Sequence, residues 1–280
     1  MKKLCVIGDP VGHSKSPVIQ TAMLRAAGLE GEYTARWVAR ADTAAWLERA
    51  KAEGFDGFNA TIPHKQALVK LVDELSDDAA RIGAVNTVCI RDGRTYGYNT
   101  DGDGFLRALG EAGMAAEGRR VLVLGAGGAA KAVVYALLKA GAQKVAVANR
   151  TVKHAGALCS QLGMPGAMAC GFSRDNLCRQ ASKSQLVVNC TSLGMTGTGQ
   201  EFADLSFLEE LPSDAGVFDL VYSPPRTALL KRAEELGLCT ANGLGMLIWQ
   251  AVYALEQFTQ TALDGSALAA VARAALEESV

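Results

Sequence analysis

The first hundred residues contain polar side chains that could move a proton on and off a bound alcohol. Lys65 closes the segment Asn59-Ala-Thr-Ile-Pro-His-Lys65, and Asp101 lies in Asn99-Thr-Asp-Gly102. A lysine held against an alcohol can donate a hydrogen bond to the developing carbonyl oxygen, and a carboxylate beside it can exchange the proton. Taken singly, Lys65 fits a solvated lysine on a first helical turn, and Asp101 fits an Asx turn among glycines. Together they indicate a candidate catalytic pair.

Hydroxyl and amide side chains in two further segments could bind a polar substrate. Ser14 and Ser16 precede a predicted helix, where free backbone N–H groups suit a carboxylate, although Ser16 could equally be the N-cap ahead of Pro17. Asn86 can donate and accept, which suits a polyol. Each segment lies at the end of a predicted strand, where open α/β sheets collect ligands, so the segments could converge. His64, beside the lysine, is interpreted as a surface or capping residue.

A glycine-rich turn in the middle of the chain indicates a nucleotide. The run from Val121 to Leu124 predicts a buried strand that enters Gly-Ala-Gly-Gly-Ala and then a helix. Gly125 permits the tight turn, and Gly127 lets the backbone approach a pyrophosphate at the helix N-terminus. The glycine spacing departs from the usual fingerprint, so an ordinary strand-to-helix turn is the alternative.

The residues after the next strand indicate which nucleotide. That strand, predicted over Lys144–Ala148, leads into Asn149-Arg-Thr151. An acidic residue there would accept a hydrogen bond from the ribose 2′-hydroxyl of NAD, whereas Arg150 is matched to a 2′-phosphate. The pattern predicts NADP as the cofactor.

Composition restricts the class of partner. The 280 residues are 49% hydrophobic and include 30 glycines, and 28 basic against 29 acidic residues leave a formal net charge of −1. This chain is long enough for two moderate domains. Its basic and acidic residues are mixed, so the sequence has no basic excess that would indicate binding to nucleic acid or an anionic membrane. We expect a small-molecule substrate, with no nucleic-acid and no membrane partner.

Cysteine usage and apolar run lengths bear on the compartment. Seven cysteines without CxxC spacing and three histidines indicate neither a metal site nor a disulfide framework, which predicts a cytoplasmic protein. The apolar run Leu4–Ile7 is only strand length, too short for a signal peptide. The uncharged stretch Leu236–Leu255 holds too few consecutive apolar residues to span a bilayer and is interpreted as a loop followed by a buried helix.

Alternating apolar runs and helical patterns predict an α/β fold. The expected strands are 3–7, 32–38, 57–61, 84–90, 95–98, 121–124, 144–148, 186–190 and 217–221. The expected helices are 17–27, 41–53, a helix opened by Pro63 with its body at 66–71, a turn at 77–82, then 105–112, one closing at Gly141, 227–236, 246–260 and 265–278. Residues 101–104 are expected to form a loop.

Eight motifs in register over nearly the whole chain resemble the shikimate dehydrogenase family. They are Gly-x-Pro-x-x-His-Ser-x-Ser-Pro (8–17), Asn-x-Thr-x-Pro-x-Lys (59–65), Gly-Ala-x-Asn-Thr (83–87), Asn-Thr-Asp-Gly (99–102), Gly-Ala-Gly-Gly-Ala (125–129), Asn-Arg-Thr (149–151), Tyr-x-Pro-x-x-Thr (222–227) and Gly-x-Gly-Met-Leu-x-x-Gln (243–250).

The resemblance implies two α/β domains that face a cleft and the reversible NADPH-dependent reduction of 3-dehydroshikimate to shikimate, in the pathway to chorismate and aromatic amino acids. The substrate-binding domain would comprise residues 1–103 and 240–280, with the C-terminal helices packing back on it, and a Rossmann-like NADP-binding domain would comprise 104–239.

The resemblance also assigns roles to individual residues. Lys65 and Asp101 would be catalytic. The substrate would contact Ser14, Ser16 and Tyr222 through its carboxylate and Thr61, Asn86 and Gln250 through its hydroxyls. The cofactor would contact Gly125, Ala126, Gly127, Gly128, Ala129, Asn149, Arg150, Thr151, Thr191 and Gly243.

Several departures from the family pattern leave alternatives open. Gln20 and Thr21 replace a common His-Asn, Ala60 a common valine and Ser223 a common asparagine. None removes a proposed chemical group, but a quinate/shikimate dehydrogenase of broader specificity is one alternative. A non-catalytic regulator that binds NADP or shikimate is another. A methylenetetrahydrofolate dehydrogenase would not need the paired serines. Both a monomer and a homodimer are compatible with the sequence.

Overall fold

The computed structural model describes residues 1–279 and divides into two compact units. The first comprises Met1–Gly104 and the residues from Ile248 onward, and the second comprises Phe105–Leu247. Each unit contains one six-stranded sheet with helices, so the predicted class of two α/β domains is confirmed.

The first hundred residues supply one sheet. Its strands are β1 (Lys2–Gly8), β2 (Gly31–Trp37), β3 (Gly57–Ala60), β4 (Glu74–Leu75), β5 (Thr87–Arg91) and β6 (Arg94–Tyr98). The helices between them are α1 (Ser16–Ala26), α2 (Thr43–Ala52), α3 (Lys65–Leu68) and α4 (Asp77–Ile82), with a short 3-10 turn at Arg40–Asp42. The β5–β6 hairpin turns at Asp92 and Gly93, which both have positive φ, as a tight hairpin turn requires.

The remaining residues supply the second sheet and the long helices. In chain order the elements are α5 (Asp101–Glu111), β7 (Arg120–Leu124), α6 (Gly128–Lys139), β8 (Lys144–Asn149), α7 (Val152–Leu162), β9 (Ala167–Gly171), α8 (Arg174–Ala181), β10 (Leu186–Asn189), a 3-10 turn (Ser206–Glu210), β11 (Gly216–Asp219), α9 (Ala228–Glu235), β12 (Cys239–Asn242), α10 (Leu244–Thr259) and α11 (Gly265–Glu278).

The first sheet has the strand order β2-β1-β3-β5-β6-β4. Strands β1, β2 and β3 run parallel, and β5 is antiparallel to both β3 and β6. The carboxyl ends of β1, β3 and β6 and the amino end of β5 therefore lie at one edge of the sheet. The segments that carry Ser14, Thr61, Asn86 and Asp101 all leave the sheet at this edge, as the sequence predicts.

The second sheet is entirely parallel, with the order β9-β8-β7-β10-β11-β12. This is the order of a dinucleotide-binding Rossmann sheet, in which the chain reverses direction across the sheet between its first and fourth strands. Here that switch point lies between β7 and β10, where the glycine turn leaves β7.

Each unit has its own buried core. Trp46, Phe55 and Phe58 pack edge to face in the first unit, with ring centroids 5.6 and 6.2 Å apart. Leu122, Val187 and Val217, on neighbouring strands, belong to the core of the second. Helix α11 packs against α1, so the predicted return of the C-terminal helices to the first unit is confirmed.

Several local predictions are wrong. The helix expected from Pro63 begins at Lys65, because His64 N–H donates to the Thr61 carbonyl and closes a turn first. The loop expected at 101–104 is the first turn of α5. The loop expected from Leu236 contains strand β12. Strands β4 and β9 and helices α7 and α8 were not predicted from the sequence.

Candidate functional site

The predicted catalytic pair is in contact. Lys65 is the first residue of α3, Asp101 is the first residue of α5, and Lys65 Nζ donates to Asp101 Oδ2 at 2.6 Å. The lysine side chain is 20% exposed and the aspartate side chain 8%. A mostly buried charge requires a partner, and each of these residues supplies the other's. The ammonium keeps further N–H groups that can reach a bound oxygen.

The other carboxylate oxygen is held by Asn86. Its Nδ2 donates to Asp101 Oδ1 at 2.8 Å and to Thr100 Oγ1 at 3.0 Å, while its Oδ1 accepts from the Thr100 backbone N–H at 2.9 Å. Asn86 is only 2% exposed. The sequence predicts a substrate contact for Asn86, which stays a prediction. The structure adds a contact that the sequence did not predict, because Asn86 also holds the carboxylate that is predicted to be catalytic.

The paired serines lie on the segment that leaves β1. Ser14 Oγ accepts from the Ser16 backbone N–H at 3.3 Å. The N-cap of α1 is Lys15 and Ser16 is already helical, so the interpretation of Ser16 as the N-cap is wrong. Both hydroxyls are partly exposed at the start of this helix, where an anion is stabilised.

Two predicted substrate contacts approach the same region from other elements. Thr61 follows β3, and its N–H donates to the Ile7 carbonyl at 2.9 Å, which fixes it beside the end of β1. The Gln250 carbonyl, on α10, accepts from Thr100 Oγ1 at 2.9 Å, which fixes this helix next to the residue before Asp101. The structure therefore brings residues from both ends of the chain together in the first unit.

His64 is buried, so its interpretation as a surface residue is wrong, whereas it does occupy the N-cap position of α3, without a capping hydrogen bond from its side chain. Its Nε2 lies 2.9 Å from the Val38 carbonyl and must donate, because a carbonyl only accepts. Its Nδ1 lies 2.8 Å from Thr43 Oγ1, at the start of α2. Desolvation lowers the pKa of His64, and the backbone bond to Val38 and the Asp9 carboxylate only partly oppose it.

This burial predicts a pH dependence of stability. Because the folded pKa of His64 lies below its unfolded value of 6.5, the unfolded state binds the proton more readily, and stability is lost as pH falls through 6.5. We expect urea titrations at pH about 7.5 and about 5.5 to give a smaller pH-dependent loss in His64→Gln than in the wild type. The exposed His13→Gln is the control and should keep the wild-type loss. An unchanged loss in His64→Gln would contradict the assignment.

In the second unit, a buried carboxylate organises the loops after β10 and β11. Asp219 is 0% exposed and accepts from Asn189 Nδ2 at 2.8 Å, Thr227 Oγ1 at 2.6 Å and the Val221 N–H at 3.0 Å. Desolvation raises the pKa of Asp219, and these hydrogen bonds oppose the shift. The side-chain oxygen of Asn189, Oδ1, in turn accepts from the Thr191 hydroxyl at 2.6 Å. This cluster, which the sequence analysis missed, holds the predicted cofactor residue Thr191.

Tyr222 also belongs to the second unit, on the segment between Asp219 and Thr227. Burial raises the pKa of its phenol, so the hydroxyl is a donor at neutral pH. The predicted contribution of Tyr222 to the carboxylate site of Ser14 and Ser16 stays a prediction.

The glycine turn has the geometry that a dinucleotide requires. Gly125 follows β7 with φ +100°, and a Cβ there would lie 2.9 Å from the Thr191 side chain, so glycine is required. Gly127 is the N-cap of α6, which begins at Gly128, and Ala126 and Ala129 flank them half-exposed. The space in front of Gly127 is open, and the free N–H groups of α6 can receive a pyrophosphate.

Residues 149–151, at the carboxyl end of β8, lie where the adenosine end of such a nucleotide is expected. Asn149 Nδ2 donates to the Thr151 carbonyl at 2.9 Å and shapes the turn into α7. Arg150 is exposed at this carboxyl end of the sheet. The turn and Arg150 together fit a dinucleotide that carries a 2′-phosphate.

Gly243 has a structural reason to be glycine. A Cβ there would overlap the backbone carbonyl of Leu220, so the residue permits the ends of β11 and β12 to pack. Its predicted contact with the cofactor stays a prediction.

Residues 1–279 contain neither a cluster of metal-ligating side chains nor a membrane-spanning helix. This part of the chain has no group of three or more His, Cys, Asp or Glu side chains that could hold a metal ion. None of its helices is both long and apolar enough to cross a membrane.

Comparison with known proteins identifies the family. Residues 6–88 match the shikimate dehydrogenase substrate binding domain, and residues 109–196 match the family described as shikimate / quinate 5-dehydrogenase. The chain is 44% identical to the shikimate dehydrogenase (NADP(+)) of Geobacter sp. (strain M21) over 91% of its length and 88% of that protein's.

Solved structures agree with this relationship. The shikimate 5-dehydrogenase of Thermus thermophilus, in complex with NADP(H) and shikimate, is 37% identical with a TM-score of 0.86, covering 98% of this chain and 100% of that one. The 5-ketofructose reductase of Gluconobacter sp. strain CHM43 is 31% identical with a TM-score of 0.81, covering 97% of this chain and 98% of that one. The chain belongs to the shikimate dehydrogenase family.

Proposed function

We propose that this protein is an NADP-dependent shikimate dehydrogenase that reversibly reduces 3-dehydroshikimate to shikimate, a step toward chorismate and the aromatic amino acids. The observation that carries the proposal is the contact of Lys65 with Asp101 at 2.6 Å, at the sheet edge where the serine and threonine hydroxyls also lie. The relatives named above support the choice of substrate and cofactor.

Bound NADPH supplies the hydride that the C3 carbonyl carbon of the substrate receives. Lys65 donates a hydrogen bond to the carbonyl oxygen and passes it a proton as the hydroxyl forms. Asp101 Oδ2 keeps the ammonium aimed at that oxygen. In the direction of oxidation the same groups receive the proton that the hydroxyl releases.

The remaining roles concern binding. Ser14 and Ser16 donate to the substrate carboxylate, with the Tyr222 hydroxyl as a further donor, and Thr61 and Gln250 bind ring hydroxyls. Asn86 uses both of its N–H groups within the protein, so its proposed substrate contact requires it to share one of them.

The cofactor is held by the second unit. The backbone of residues 125–129 would hold the pyrophosphate, and the Thr191 side chain lies next to Gly125 at the start of this turn. Asn149, Arg150 and Thr151 would hold the 2′-phosphate. Gly243 is a proposed cofactor contact through its backbone.

A broader quinate/shikimate dehydrogenase is the second candidate, supported by the family description that includes both substrates. The two are separated by measuring NADP⁺ and NAD⁺ reduction with shikimate and with quinate side by side. We expect the highest kcat/KM for shikimate with NADP⁺. Comparable kcat/KM for quinate would establish the broader enzyme, and turnover of neither substrate would favour a non-catalytic regulator.

A further inference from the structure

A chain of buried side-chain hydrogen bonds crosses the first sheet and ends on the catalytic carboxylate. The Tyr33 hydroxyl donates to Asn59 Oδ1 at 2.6 Å, and Asn59 Nδ2 donates to Thr87 Oγ1 at 2.9 Å. Thr87 Oγ1 donates to Asn86 Oδ1 at 2.9 Å, and Asn86 Nδ2 donates to Asp101 Oδ1 at 2.8 Å. All five side chains belong to buried residues, so each depends on its neighbours for hydrogen bonds.

Strand order and register produce this series of hydrogen bonds. Asn59 on β3 pairs directly with Thr87 on β5, so their side chains meet across the antiparallel ladder. Tyr33 lies on β2, and β1 separates it from β3, so its long phenol is needed to reach Asn59. Burial raises the pKa of the Tyr33 phenol well above its ordinary value, so the hydroxyl stays protonated.

Two hydrogen bonds to backbone atoms determine the direction of donation along this series of side chains. Asn59 Nδ2 also donates to the Asn86 backbone carbonyl at 3.2 Å, which can only accept, so Asn59 Oδ1 must face the Tyr33 hydroxyl. At the other end, the Thr100 backbone N–H donates to Asn86 Oδ1, so the amide N–H groups of Asn86 must face Asp101. Every donor therefore points toward the carboxylate, and bonds aligned in this way strengthen one another in a buried site.

The hydroxyl of Thr87 couples the two amides, because it has a single hydrogen. Thr87 can donate that hydrogen to Asn86 while Asn59 offers it an N–H. If the Asn59 amide turned over, its oxygen would compete for the Thr87 hydrogen, and Asn86 would lose a donor. The Tyr33 hydroxyl opposes this rotation because it requires an oxygen on its own side of the amide.

We propose that Tyr33, Asn59 and Thr87 are positioning residues that act through Asn86 to orient the Asp101 carboxylate toward Lys65. They orient the carboxylate and carry no proton, since an amide N–H holds its hydrogen throughout. None of the three is among the residues assigned to substrate or cofactor, and the proposal rests on the proposed function for its kinetic readout.

The test removes single hydroxyl groups without changing side-chain shape. We expect Tyr33→Phe to lower kcat for shikimate oxidation by about 3- to 10-fold, the effect of losing one hydrogen bond, with KM for shikimate little changed. Tyr96→Phe, a matched change on β6 of the same sheet, should leave kcat and KM unaltered.

A second pair of variants distinguishes the loss of a hydroxyl group from a folding defect. Thr87→Val should lower kcat at least as much as Tyr33→Phe, and Thr87→Ser, which keeps the hydroxyl, should restore it. Equal kcat in the valine and serine variants would overturn the proposal.

A readout that needs no turnover separates this proposal from the proposed function. The side-chain amide ¹H–¹⁵N signals of Asn86 are assigned by their loss in Asn86→Ala. They should shift in Tyr33→Phe although the Tyr33 hydroxyl bonds to Asn59 and not to Asn86, and they should not shift in Tyr96→Phe. Unmoved signals in Tyr33→Phe would overturn the coupling whatever the activity. If the wild type is inactive but the Asn86 signals shift in Tyr33→Phe, the proposed function is refuted and the coupling is established.

Discussion

Lys65→Met should lower kcat for shikimate oxidation by about 10²- to 10⁴-fold, the usual contribution of a well-placed acid–base group, with a small effect on KM for shikimate. Methionine keeps most of the length of the side chain but can neither donate to the substrate oxygen nor exchange a proton with it. The carboxylate that now accepts from Lys65 Nζ would keep its bond from Asn86 and lose its cation. Steady-state kinetics with NADP⁺ and shikimate, normalised to folded protein, measure both constants.

The exposed Lys70→Met, just beyond the end of α3, makes the same change of charge and should retain wild-type kcat. Since Lys65 and Asp101 are in contact and are proposed to act as a unit, adding Asp101→Asn to Lys65→Met should cost little further activity. Near-full kcat in Lys65→Met would show that the lysine has no catalytic role. A large rise in KM with kcat preserved would make it a binding residue instead.

The parts of the fold that could be predicted from sequence have strong local signals. Strand β7 is a run of buried branched side chains that ends at a glycine with positive φ, and the turn after it could be placed to the residue. Strand β9 is half-exposed along its whole length and all of its residues except Met168 are small, and β12 is exposed or half-exposed throughout. Both strands lie at sheet edges, where no apolar run is required. Neither an alternation of apolar and polar residues nor a hydrophobic run therefore indicates them in the sequence.

The contact of Lys65 with Asp101 could be predicted from the sequence, because it follows from the order of the strands along the chain. Lys65 and Asp101 follow β3 and β6, and an α/β sheet collects such residues at one edge. The contact of Asn59 with Thr87 depends on the register of an antiparallel pair, which no local pattern specifies. The burial of His64 depends on α2 packing over it, and a single polar residue between a proline and a lysine carries no sign of that.

We expect the preference for NADP over NAD to depend on a short segment of the second unit. Strand β8 carries Asn149 to the carboxyl edge of the parallel sheet, and Arg150 follows it with an exposed side chain. The planar guanidinium can give a phosphate two parallel N–H bonds, whereas the free 2′-hydroxyl of NAD offers it no charge. Binding of NADP and of NAD should therefore differ through this one side chain more than through the glycine turn, which both nucleotides would use alike.

Arg150→Asp should raise KM for NADP⁺ by about 10- to 100-fold, because a hydrogen bond to a charged group contributes about 1.5–3 kcal/mol and the new carboxylate would also repel the phosphate. KM for NAD⁺ should stay the same or fall, since a carboxylate can accept from the ribose 2′-hydroxyl, so the ratio of the two kcat/KM values narrows. Arg179→Asp, an equal change of charge at an exposed position on α8, should leave that ratio at its wild-type value. If Arg150→Asp keeps the wild-type ratio of the two kcat/KM values, groups other than Arg150 bind the 2′-phosphate. The physical reason given for predicting NADP from Asn-Arg-Thr would then be wrong, even if the enzyme uses NADP.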